Sequence, residues 1–107
     1  MSFETTMNKG FMMQFENGFK ISIQWGSANY CTRKGSGAWD ESMKQDHWES
    51  ATAEIAVYDK DGDMVEITDS DTVAGWLTTD DVAAAIVIVQ QATSSEGMSN
   101  KFKQLKF

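Results

Sequence analysis

The chain contains no proline, one cysteine (Cys31) and one histidine (His47). A lone cysteine rules out an internal disulfide and makes a reducing compartment the expected setting. No apolar run approaches the roughly 18 residues that a membrane-spanning helix needs. Met1-Ser2-Phe3-Glu4 has neither the basic stretch nor the apolar core of a secretory leader. Glycine-rich phosphate loops and dinucleotide-binding fingerprints are missing as well. The lack of proline decides nothing by itself.

What remains is a chain of 107 residues, 41% of them apolar, which is enough for one domain with a modest core. Its formal net charge is −7, and the charge is unevenly spread. All sixteen carboxylates lie at or before Glu96, whereas the tail from Lys101 adds Lys103 and Lys106 with no acid. An acidic body repels nucleic-acid backbones, so no direct nucleic-acid binding is expected. Solubility explains such acidity; mimicry of a polyanion is the other reading.

Two segments share one device: an alternating apolar run, a polar residue followed by glycine, and a second alternating run. In Phe11–Trp25, a two-residue Asn17-Gly18 loop would mix apolar and polar residues on both faces. A three-residue Glu16-Asn17-Gly18 loop instead sets Phe15 against Phe19, Met13 against Ile21 and Phe11 against Ile23. A slip of one residue exchanges the faces, so the clean separation selects the longer loop. Gly18 then takes the left-handed position of a type I turn plus bulge. In Ala53–Ile67, a Lys60-Asp61-Gly62 loop by the same arithmetic sets Val57 against Val65 and Ile55 against Ile67.

Gly26–Ser50 between them exceeds an ordinary connection: it is either a functional loop or contains short elements. Beyond the second hairpin, Thr78-Thr79-Asp80-Asp81 reads as a capped helix start, with early carboxylates complementing the helix dipole. The helix, Asp80–Thr93, should bury Val82, Ile86 and Val89. Val87 and Ile88 widen its apolar surface, which suggests burial against a further surface such as a second subunit. Ser94–Gly97 should end it. Lys101–Phe107 reads as a basic-apolar tail, mobile unless docked.

Three groupings invite chemistry. Asp59-Lys60-Asp61-Gly62-Asp63 copies the opening of a calcium-binding loop, yet Met64 and Ser70 stand where a glycine and a bidentate glutamate are required. It reads as a hairpin turn. His47, near Asp40, Glu41, Asp46 and Glu49, lacks the partner spacing of a metal site. Cys31 precedes Thr32-Arg33-Lys34, and with His47 it suggests a Cys-His nucleophile, but no third orienting group or oxyanion loop accompanies it.

The segment from Trp25 to Gly37 is the preferred candidate. It leaves a strand and supplies Trp25, Asn29, Tyr30, Arg33 and Lys34. Aromatic faces stack on bases, while arginine and backbone N–H groups bind phosphates. The plain alternative is a surface loop pinned by Trp25 and Tyr30.

The stretch Asn8–Cys31, NKGFMMQFENGFKISIQWGSANYC, resembles a pattern in small uncharacterised accessory proteins of tailed bacteriophages. The pattern runs Gly-Phe, Asn-Gly, Gln-Trp-Gly and Asn-Tyr-Cys, and a looser match extends over Ala56–Gly62 and Thr78–Ala83. The resemblance implies a host-takeover or counter-defence protein in the host cytoplasm, with no role attached to particular residues.

These readings together predict an α+β domain over residues 1–100, with 101–107 as a tail. Its antiparallel sheet is built on two hairpins and covered by one main helix. The expected function is binding rather than catalysis: sequestration of a small anionic, nucleotide-type ligand, with no cofactor or metal, and a homo-oligomer to complete the pocket. The alternative is an acidic inhibitor that presents Asp59, Asp61, Asp63, Glu66, Asp69 and Asp71 to a host protein.

Overall fold

The computed structural model describes residues 1–7, 9–37 and 44–107. Asp40 and Glu41 of the readings above, and Asn8 of the resemblance, lie outside them. Five strands form one antiparallel sheet in chain order: β1 (Ser2–Thr6), β2 (Gly10–Gln14), β3 (Lys20–Gln24), β4 (Ala53–Tyr58) and β5 (Val73–Leu77). Two helices follow, α1 (Thr79–Gln90) and α2 (Ser95–Leu105). The α+β class stands, but the sheet is a five-stranded meander and the helices number two among the described residues.

The first hairpin has the predicted register. Phe11 pairs with Ile23 and Met13 with Ile21. Phe15 donates its N–H to Phe19 O at 2.9 Å, and Gly18 closes the turn at φ +89°. Asn17 adds a link that alternation could not reveal. Its Oδ1 accepts the Phe19 N–H at 3.0 Å, and its Nδ2 donates to Val89 O and Ala92 O at 2.9 and 3.0 Å. A turn side chain thereby adds a donor to carbonyls at the end of α1, where Val89 O also accepts the Ala92 N–H at 3.2 Å.

The second hairpin corrects the reading. Its turn is as expected: Asp59 N–H meets Asp63 O, Val65 N–H meets Val57 O, and Gly62 sits at φ +85°. Asp59 Oδ1 accepts the Asp61 and Asp63 N–H groups, which makes the acidic stretch a turn. Beyond Val65 the return arm leaves the sheet. Ile67 and Thr68 donate to Asp71 O, the chain turns again, and β5 takes the edge of β4, so Ile55 pairs with Ala74 and not Ile67. Val65 and Ile67 are buried nonetheless. Alternation marks which side chains leave water, not which strand wins the hydrogen-bonding edge.

The core lies on one sheet face. Phe19, Ile21, Ile23, Ile55 and Val57 meet Ala85 and Val89 of α1, and Met98 and Phe102 of α2. Thr78 caps α1: its hydroxyl accepts the Asp81 N–H while the Asp81 carboxylate accepts the Thr78 N–H, a reciprocal box. The helix buries Ala85 and Val89; Val82 and Ile86 are half-buried, and Val87 is 51% exposed.

The expected tail is corrected as well. Lys101–Leu105 belongs to α2, which is capped by Ser94 and docked through Met98 and Phe102. Lys103 Nζ pairs with Glu66 Oε1 at 2.6 Å. Spacing of four residues puts Met98 and Phe102 on one helical stripe, enough apolar area to hold the segment down. Among the described residues, no helix is long and apolar enough to cross a membrane. Phe102→Ala should therefore cost about 3–5 kcal/mol in urea denaturation; a loss below about 1 kcal/mol would return the segment to the status of a tail.

Candidate functional site

Loop 26–37 leaves β3 after Trp25 and is held by Asn29, whose side chain is buried. Asn29 Oδ1 accepts the Gly26 N–H at 2.9 Å, closing the turn on itself. Its Nδ2 donates to Glu54 Oε1 at 3.1 Å and to Gln24 Oε1 at 3.4 Å. The second Glu54 oxygen accepts the Tyr30 N–H at 2.8 Å. Gln24 and Glu54 pair on the sheet face opposite Ile23 and Ile55, so one carboxylate on the face away from α1 and α2 fixes two successive loop residues. Thr32 adds a contact to Thr52, its N–H donating to Thr52 Oγ1 at 2.8 Å.

Tyr30 carries the loop across to β5. Its carbonyl accepts the Trp76 N–H at 2.9 Å, occupying a donor on the strand's outer edge. The approach requires glycine at 75: a Cβ there would lie 2.6 Å from Tyr30 Cβ and 2.7 Å from its carbonyl oxygen. Opposite Glu54 the register slips, because Ala53 pairs with Leu77 whereas Ile55 pairs with Ala74. Gly75 and Trp76 thus share one position across from Glu54, which is a β-bulge.

Trp76 sits in the bulge at φ +53°, a left-handed conformation that is rare for a bulky side chain. Trp76 is 56% exposed, and Tyr30 beside it is 48% exposed. The two ring centroids lie 5.7 Å apart at an interplanar angle of 35°. Lys34 Nζ stands 4.5 Å from the centroid of Tyr30. An aromatic pair with an ammonium beside it, on strained backbone at the surface of an acidic protein, can stack on a flat ring and attract a negative charge.

The five predicted residues do not act as one group. Tyr30 and Lys34 join Trp76. Trp25 and Arg33 join Trp48: Trp25 Nε1 donates to Trp48 O at 2.8 Å and Trp48 Nε1 donates to Trp25 O at 3.1 Å. The Arg33 guanidinium lies 3.9 Å over the Trp48 ring. Asn29 is an internal anchor. Cys31 is buried with its thiol donating to Gly26 O at 3.5 Å, while His47 is exposed. Among the described residues, no group of three or more His, Cys, Asp or Glu could hold a metal ion.

Sequence reasoning missed Trp76, Trp48 and Glu54. Trp76 had a signal, since a glycine inside an apolar run marks a bulge or a close backbone approach. Glu54 had none, because its partners are 24 and 25 residues away. Glu54→Gln turns one acceptor oxygen into an NH2 facing an N–H donor. It should cost about 1–3 kcal/mol in chemical denaturation, and trypsin should cut faster after Arg33 and Lys34. Unchanged stability and unchanged cleavage would remove the anchoring role. Comparison of the chain with protein-family models, curated proteins and solved structures gives no match.

Proposed function

We propose that this chain is a non-enzymatic binding protein that sequesters a small, planar, anionic ligand of nucleotide type on Tyr30 and Trp76, with Lys34 facing the negative charge. The observation that carries this reading is the left-handed Trp76, an exposed indole kept at an unfavourable backbone angle beside a second exposed ring. Folding alone gains little from such an arrangement, whereas a stacking surface gains an indole that need not reorganise. Burial of Cys31 argues for binding over nucleophilic catalysis, since a thiol turned toward Gly26 O does not meet substrate. In the setting that the Asn8–Cys31 resemblance implies, a phage accessory protein in the host cytoplasm, sequestration would withdraw a host nucleotide signal.

The acidic-inhibitor reading finds less support. Asp59 is spent on its own turn, Asp71 accepts the Thr72 N–H, and Glu66 pairs with Lys103. A contact face that had to recruit those groups would give up bonds already made.

Tryptophan fluorescence and calorimetric titration against linear and cyclic nucleotides should show saturable binding. Base stacking on an aromatic ring contributes roughly 1–3 kcal/mol, so Trp76→Gly should weaken affinity about tenfold or more. That variant also removes the left-handed strain, and its stability should stay within about 1 kcal/mol of the parent. Lys34→Ala should weaken binding and flatten its salt dependence. No binding to any nucleotide, or full affinity in Trp76→Gly, eliminates the proposal.

A further inference from the structure

Trp25 belongs to neither the platform nor the anchor, and it lines a different feature. By strand alternation it lies on the helix side of the sheet with Ile23, away from Glu54 and the loop that Glu54 holds. There a cleft of about 330 Å³ opens between the N-terminal half of α1 and the ends of β3, β4 and β5. Ile23 and Leu77 line it from the sheet and Val82 and Ile86 from the helix, with Trp25 alongside.

The chemistry of this lining is one-sided. Among the described residues, no charged side chain lines the cleft. Of its hydroxyls, Ser50 Oγ donates to Thr52 O at 2.7 Å, and Thr52 Oγ1 is shared with the Thr32 hydroxyl and N–H at 2.7 and 2.8 Å. Among the described lining residues, Thr79 adds the third hydroxyl. An ion entering here would exchange its hydration for little beyond the Thr79 hydroxyl, at a cost of several kcal/mol or more. A neutral apolar molecule loses only unfavourable contact with water. The volume stands at the lower end of the roughly 300–1,000 Å³ typical of small-molecule sites.

Trp25 is also fixed for such a role. Its N–H is held by Trp48 O, and Phe11 meets it edge-on with ring centroids 6.2 Å apart. The indole can offer its apolar surface without leaving a buried donor unpaired.

We infer that this cleft is a second binding site, separate from the Tyr30–Trp76 platform, for a small neutral apolar or aromatic molecule held between Trp25 and α1. The occupant is chosen by the absence of charge and by size, and the site does not depend on the nucleotide reading.

The test uses the full chain and N-phenyl-1-naphthylamine, a neutral probe that fluoresces when it leaves water. Saturable binding at one molecule per chain is expected, with nucleotides failing to displace it. Ala83 and Ala51 line the cleft but are exposed, so Ala83→Trp and Ala51→Phe fill its space with little disturbance of the core. Each should reduce probe affinity at least tenfold while circular dichroism and the urea midpoint stay at the parent's values; if one variant folds poorly, the other decides. Trp76→Gly should bind the probe like the parent. Lack of saturable binding, or full affinity in a folded cleft-filling variant, overturns the inference, and neither result bears on nucleotide binding.

Discussion

Strand β4 sets the arrangement of everything around it, because its alternation serves two purposes at once. Ile55 and Val57 point to one side and are fully buried beneath the helices. Glu54 points to the other, where its two oxygens hold Asn29 and Tyr30. The period of two that builds the core therefore also aims the carboxylate that builds the loop. A register slip in β4 would exchange the two, burying a charge and releasing the loop together. This strand ties stability to the candidate site more tightly than any other element.

The two candidate sites divide along the same boundary. On the side away from α1 and α2, the loop meets the bulge of β5 and presents aromatic faces with a lysine beside them. On the helix side, the sheet's ends and α1 leave a cleft next to Trp25 that is uncharged among the described residues. Electrostatics separates what each can accept. The body is acidic, so an anion has favourable surroundings only where cations concentrate, and an uncharged lining turns ions away. Arg33 and Lys34 are adjacent yet serve different rings, Trp48 and Tyr30.

Much of the scaffold could be read in advance. The three-residue turns, the facing pairs of the first hairpin and the threonine cap of α1 all follow from short-range rules of alternation, glycine geometry and capping. The C-terminal helix was harder: Ser94 and the Met98–Phe102 spacing are there to see, but three lysines in a seven-residue end read as a solvated tail until the buried surface that receives Phe102 is known. The site was half-legible. Tyr30 and Lys34 stood out by residue type. Their partnership with Trp76 did not, since it arises from a bulge 42 and more residues away in sequence and from the absence of a side chain at Gly75.

By itself the sequence determined which residues leave water and where the chain reverses, because those depend on neighbours two to four positions apart. It determined the charge as well, and with it the class of ligand that needs local cations. Only the tertiary structure decided that β5, not the Val65–Ile67 arm, occupies the edge of β4. That edge has one set of hydrogen-bonding groups, and competition between two apolar segments for it is settled by the packing of the whole chain. With β5 in place come the bulge, the left-handed Trp76 and the exposed Tyr30–Trp76 ring pair. The separation of five expected site residues into an anchor and two aromatic groups follows from the same packing.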